Sequence, residues 1–544
     1  MIGIGIGLVG GGIVDQLPFR FTVNTNNTSA GSSTSTQFKL PLVSSGTLNA
    51  VVDWGDGTSS TITTWNQAEV THTYATAGVY DIKITGVLRG WQFNNGGDRL
   101  KILDIINWGS LNISVDAGFA GCTNLTASAT DAPTITTTSL ATYFRSCNNF
   151  NSAIGSWNVS NVLNFNEMFY ISGFNNGNSA DINNWTIRTT GSVSMSQMFR
   201  QCPFNQPIGN WNTSAVTIMN NMFHENSFNR DISNWNVGNV TTMNRMFFGN
   251  YFFNQDIGSW NTGAVTNMGE MFQNASSFNQ NIGAWNVSNV TTFSSMFNGA
   301  TAFNNGGSAD INNWTIRTAS AVSMSSMFRS CTFNQNISSW NTSAVTNMSA
   351  MFSLNGAFNQ PIGSWNTSAV TDMNNMFSTS NFNQNIGAWN VSNVTSFGNM
   401  FGANYSFNNG GSSDINNWTI KNTGTVSMVG MFGDSTFNQP IGNWNTSAVT
   451  NMSLMFRFNT TFNQAIGNWN VSNVTNFSSF MEGKSAANYS AANLNAIYNG
   501  WSSRSVQPNL SISFGSIKYT AEAQAGKNIL DFAPNNWTIV DGGI

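Results

Sequence analysis

The chain has 544 residues, and 8% of them are charged, against about 25% in an ordinary soluble domain. Its net charge of −4 gives no electrostatic basis for binding nucleic acid or an anionic membrane. No run reaches the roughly 18 apolar residues of a membrane span, so no membrane insertion is expected.

Residues 1–17 alternate Ile and Gly at positions 2 to 7. Period-two alternation predicts a strand with one apolar edge, Ile2, Ile4 and Ile6. Such a strand is a candidate anchor that pairs with a neighbouring subunit or with other virion or surface proteins; a frayed terminus is the alternative. Met1–Gly12 has no Lys or Arg before its apolar run, so no secretion leader is expected.

Residues 18–88 read as a separate all-β unit. Thr22–Thr36 is loop-like, and Val51-Val52-Asp53-Trp54 runs into the Asp56-Gly57 turn. In Tyr80–Ile84, Tyr80, Ile82 and Ile84 face one way and Asp81 and Lys83 the other. The pairing of Trp54-Gly55-Asp56-Gly57-Thr58 with His72-Thr73-Tyr74 and Gly78–Ile84 resembles a polycystic-kidney-disease-type (PKD) domain. That resemblance implies an immunoglobulin-like β-sandwich serving as a spacer or adhesive module, without catalysis. Asp53 and Asp56 read as turn formers rather than as a calcium site.

Residues 89–149 are degenerate repeats and 150–482 a regular array. Trp recurs thirteen times from Trp157 to Trp469, a mean step of 26 residues. A period in this range predicts a stacked solenoid. In the repeat Phe228–Phe247, Ile232-x-x-Trp235-x-Val237 predicts a short parallel strand with Trp235 and Val237 inward and Asn236 outward. The apolar spacing of Val240–Phe247 predicts one or two turns of helix with Thr241 as N-cap. Three longer repeats, Asn176–Arg188, Asn305–Arg317 and Asn409–Lys421, add Gly-rich bulges and mark duplicated blocks. Residues 483–544 read as a small α+β cap: a helix over Tyr489–Trp501 with Ser490 as N-cap and Gly500 as stop, a strand at Ser511–Phe514, a helix over Thr520–Leu530 and a strand at Trp537–Val540.

The Phe-Asn-x-x-Ile-x-x-Trp-Asn phrase with its Met-Phe close resembles the BspA-like leucine-rich repeats. It is closer still to repeats of mycoplasma surface lipoproteins, which implies surface display and adhesion. No lipoprotein Cys stands near Met1, so the membrane anchor does not carry over. The tail resembles those following such repeats in bacterial and phage proteins. The fold class expected is therefore mainly β: a leucine-rich-repeat-like parallel solenoid with an N-terminal immunoglobulin-like β-sandwich and an α+β cap.

Cys122, Cys147, Cys202 and Cys331 each end an F-x-x-C phrase, so they share one repeat position. They read as small buried thiols, although Cys122 and Cys147, one repeat apart, stand near disulfide reach. The candidate ligand face is the Asn following each Trp: Asn212, Asn236, Asn261, Asn286, Asn341, Asn366, Asn390 and Asn445, replaced by Thr186, Thr315 and Thr419 in the long repeats. It reads as a stabilising amide ladder or as a flat polar face for a host-surface glycan or protein. Asp231 and Asp256, equivalent residues of adjacent repeats, are the one carboxylate pair at a glycosidase-like spacing, but Asn, Pro or Ala fills that position elsewhere.

No catalytic, metal or cofactor-binding residues are expected. The leading reading is a non-enzymatic virion component, a fibre or decoration protein, extracellular, with its oligomeric state left open. The alternatives are a bacterial cell-surface adhesin and a tailspike-like glycan hydrolase.

Overall fold

The computed structural model describes residues 17–544, so the anchor positions Ile2, Ile4 and Ile6 lie outside the described residues. The chain divides into two compact units. One runs to Val216 and includes Asn226–Arg230; the other comprises Thr217–Glu225 and Asp231–Ile544.

The first unit opens with alternating residues. In β1 (Phe19–Asn24), Phe19, Phe21 and Val23 are buried while their neighbours are half-exposed. The long β6 (Val79–Arg89) pairs antiparallel with β1 and with β3 (Leu48–Asp53). On its other side, β1 takes β7 (Ile102–Asn107), so strands before and after residue 88 share one sheet. The full order is β10 (Thr134–Ile135), β8 (Leu111–Ile113), β6, β1, β7 and β9 (Thr126–Ala127), with β4 (Ser59–Ile62) beside β3. β2 (Gln37–Lys39) and β5 (Thr71–Thr73) form a pair of their own. The loop between β1 and β2 is held by Lys101, whose buried ammonium donates to Ser33 O, Thr34 O and Gln37 O at 2.8–3.0 Å. Asp98, equally buried, stands 3.4 Å away as its counter-ion.

The fold class read from the sequence is overturned. Only 9% of the residues are helical and 15% lie in strands; the sheets beyond the first are small and separate, and the described residues show neither solenoid closure nor a β-sandwich. The half of the repeat expected to be a strand is a pair of turns: Trp235 N–H donates to Ile232 O at 3.1 Å and Val240 N–H to Val237 O at 2.9 Å. The half expected to be helical is a run of turns in which alternate N–H groups serve different partners. Met246 and Phe248 donate three residues back, to Met243 O and Arg245 O. Met243, Arg245, Phe247 and Gly249 donate to Asn267, Gly269, Met271 and Gln273 of the next repeat at 2.8–3.0 Å. Left-handed residues, Arg245 (φ 55°) and Gly249 (φ 63°), permit this. A helix would point its N–H groups along its own axis rather than sideways at a neighbouring repeat. Thr241 accordingly caps nothing; its N–H and hydroxyl both donate to Thr217 O.

Apolar columns fill the interior of each unit. In the second unit the Phe of Met-Phe stacks on the Phe of Phe-Asn within the same repeat, as in Phe297–Phe303 at 3.7 Å and Phe377–Phe382 at 4.0 Å. It also stacks on its copy in the next repeat, as in Phe352–Phe377 at 5.7 Å. α1 (Ala491–Ser502), capped by the Ser490 hydroxyl, extends past Gly500. A side chain at Gly500 would meet Gly467 O at 2.2 Å, so this glycine serves close packing rather than termination. α2 (Gln524–Asp531) and the parallel pair Ser511–Ser513 and Thr538–Val540 complete the C-terminal segment.

Candidate functional site

The outward face of the repeat is set by what its interior demands. The Trp of every repeat from Trp157 to Trp469 is buried, and from Trp185 on the indole N–H typically donates to the Ile carbonyl of the preceding repeat. Examples are Trp211 to Ile182 at 2.9 Å in the first unit, and Trp285 to Ile257 at 2.9 Å and Trp340 to Ile311 at 3.0 Å in the second. The same carbonyl closes its own Ile-x-x-Trp turn, so Ile and Trp are coupled both within and between repeats. Trp501 of α1 continues the series by donating to Ile466 O. The indole of Trp157 has no hydrogen-bond partner.

With Trp turned in, the next residue is turned out. All eight candidate residues, Asn212, Asn236, Asn261, Asn286, Asn341, Asn366, Asn390 and Asn445, are exposed. Each Oδ1 accepts the backbone N–H two residues on, at 3.0–3.2 Å. The hydroxyls of Ser288 and Ser368 donate to the same oxygens at 2.8 and 2.7 Å. These are Asx turns. The carbonyl end is spent locally, and what such an amide offers an outside partner is its NH2 group.

The hydrogen-bonded amide ladder lies at a different residue, the Asn of Phe-Asn. Asn254 Oδ1 accepts Asn279 N–H, Asn279 accepts Asn304, and Asn334 accepts Asn359, at 2.8–3.1 Å. Phe-Asn reads as a mere turn in sequence, and nothing local distinguishes its ladder from the Trp-Asn column.

The long repeats interrupt the exposed column. Thr186, Thr315 and Thr419 are exposed in place of Asn. At the first, a groove of about 370 Å³ opens between Asn183, Asn184, Thr186, Thr189, Asn210 and Asn212. Trp185 also borders it but is only 3% exposed. One wall is fixed by Asn183 Oδ1, which accepts Asn210 N–H at 2.9 Å. The wall recurs in the second unit, where Asn312 Oδ1 accepts Ser339 N–H and Asn416 Oδ1 accepts Asn443 N–H. Arg188 turns away, donating to Thr190 O and to Asn161.

The four cysteines are free and buried. Cys147 Sγ donates to Phe119 O and Cys202 Sγ to Phe174 O, each at 3.0 Å. Burial pushes all four thiols up. Asn and Ser do the same work at this repeat position: Ser380 Oγ donates to Phe377 O and Asn404 Nδ2 to Phe382 O. Lys484 ends this series in the second unit. It is 2% exposed and donates to Phe462 O at 2.6 Å, and burial brings its pKa down to about 7.

Asp231 and Asp256 are exposed turn formers; their Oδ1 atoms accept Ser233 N–H and Gly258 N–H at 2.9 Å. Asn281 and Asn385 do the same for Gly283 and Gly387. The backbone hydrogen bond from Ser233, with a further bond from its side chain, holds the Asp231 carboxyl below its usual range, as an anion. Asp53 and Asp56 likewise accept the N–H groups of Gly55 and Thr58. Among the described residues, no group of three or more His, Cys, Asp or Glu is placed to hold a metal, and no helix is long and apolar enough to cross a membrane.

These features define a tandem-repeat protein with a hydrogen-bonded apolar interior and a neutral amide exterior. A family model described as "Mycoplasma protein of unknown function, DUF285" matches four times, over residues 93–193, 193–309, 305–418 and 407–517, and the chain belongs to that family. No curated protein and no solved structure matches it.

Proposed function

We propose that the chain is a non-enzymatic attachment protein displayed on a surface, with the exposed Trp-Asn column as its contact face. The observation that carries this reading is the repetition of one neutral amide, in one Asx-turn geometry, through repeat after repeat. The turn duties of Asp231 and Asp256, filled equally by Asn in other repeats, support an absence of hydrolytic chemistry. The resemblance to surface-lipoprotein repeats supports display on a bacterial cell, and the tail's likeness to phage sequences supports a virion as the carrier. Antibody labelling of intact cells and of purified particles distinguishes these two carriers. Binding of the fluorescently labelled full chain to intact cells tests attachment. Labelling confined to lysed material, with no binding to any cell surface, would refute the proposal.

A further inference from the structure

We infer that each long repeat carries a binding notch for a neutral saccharide, three notches to the chain; the inference rests on the attachment reading and names its ligand class. In the ordinary repeats the residue after Trp is a long amide. In the long repeats it is the shorter Thr186, Thr315 or Thr419, and Thr186 lines a groove of about 370 Å³. A volume of this order is that of a small-ligand site of roughly 300–1,000 Å³.

The lining selects the chemistry. Asn183, Asn184, Asn210 and Asn212 supply amides, and Thr186 and Thr189 supply hydroxyls. A phosphate or carboxylate would lack a cationic partner, because the guanidinium of Arg188 is held by Asn161 and Thr190 O. An apolar ligand would leave those amides and hydroxyls without water or partners, at about 1–3 kcal/mol each. A neutral polyhydroxyl ring offers alternating donors and acceptors at the density this lining requires.

The three sites share a frame, with Ser339 in the place of Asn210 at the second and Asn422 and Lys421 in the places of Thr189 and Arg188 at the third. Asn184, Asn313 and Asn417 are exposed beside the three Thr, and each preceding Asn fixes the next repeat through the same Oδ1 bond. The spacing of long repeats, which reads in sequence as a record of duplication, then sets the valency.

The test uses the full chain on an array of neutral and acidic oligosaccharides, followed by titration with the best neutral oligosaccharide. The expected stoichiometry is three, falling to two in Thr186→Asn. Affinity in the triple variant Thr186→Asn, Thr315→Asn, Thr419→Asn is expected to fall at least tenfold. Asn is the residue the ordinary repeats carry there, so the variants keep the fold, and unchanged Trp fluorescence verifies this. Binding confined to acidic glycans, no glycan binding, or full affinity in the triple variant overturns the inference. Cell attachment that survives the triple variant sinks the notches alone; glycan binding without cell attachment sinks the attachment reading alone.

Discussion

Replacing Trp340 by Phe isolates the bond that couples one repeat to the next. Trp340 is 3% exposed and lies between Trp314 at 5.7 Å and Trp365 at 6.4 Å, nearly parallel to both. Phe keeps an aromatic ring in the stack but removes the donor to Ile311 O. That carbonyl retains the Trp314 N–H of its own turn, so the lost bond costs about 1 kcal/mol. The missing ring carbons cost a further 1–2 kcal/mol or so, at about 0.8 kcal/mol per buried carbon. The sum, about 2–3 kcal/mol, corresponds to roughly a 30- to 150-fold faster local opening. Trp157→Phe is the control. Its indole N–H is buried without a partner, so that substitution loses packing but also removes a stranded donor. Hydrogen exchange on the flanking backbone N–H groups is the assay, because repeat chains open locally rather than in one transition. Protection should fall at least fivefold further in Trp340→Phe than in Trp157→Phe. Equal losses would mean that the indole bond contributes nothing and that only ring packing joins the repeats.

Lys484 makes stability pH-dependent. Its folded pKa, lowered to about 7 by burial, leaves it unprotonated between about pH 7 and 10.5 while the unfolded residue still binds a proton. Stability of the C-terminal segment therefore rises with pH across that window; Lys484→Met, which also removes the donor to Phe462 O, should show a flatter pH profile in denaturant titrations. Asn404→Ala removes the partner of the Phe382 carbonyl and of the Phe407 N–H. It should cost about 2–4 kcal/mol, whereas Cys331→Ser, exchanging two donors this position accepts, should stay within about 1 kcal/mol. A thiol reagent should label none of the four cysteines until denaturant is added. Asp231→Asn with Asp256→Asn should change stability by less than about 1 kcal/mol, and neither the variant nor the native chain should release reducing sugar from a polysaccharide.

Much of the repeat's inside and outside is legible in the sequence. Trp235 and Val237 are buried and Asn236 is exposed, because alternation around a large ring survives whether the backbone is a strand or a turn. The backbone itself is not legible. Apolar residues three and four apart mark one face of a helix, but they equally mark successive turns whose first and fourth residues face inward. Only the left-handed residues separate the two, and Glu270, Ser295 and Leu454 in those positions give no sign of it. The indole–carbonyl bond between repeats is also hidden, since Ile-x-x-Trp spells only the turn. β7 joins β1 across about 80 residues, a pairing no local pattern announces. For the site, the Asn column is visible as a repeat position. The proposed notch is visible only as three Thr exceptions, whose meaning depends on the groove beside Thr186.

The most direct measurement is acrylamide quenching of Trp fluorescence in the native chain. Of the nineteen Trp, only Trp65, at 44%, is substantially exposed, and every repeat Trp is at most 3% exposed. Quenching of about one indole in nineteen, with all nineteen quenched after unfolding, is the expected result. A native chain in which most indoles are quenched would contradict the inward column, and with it the amide face.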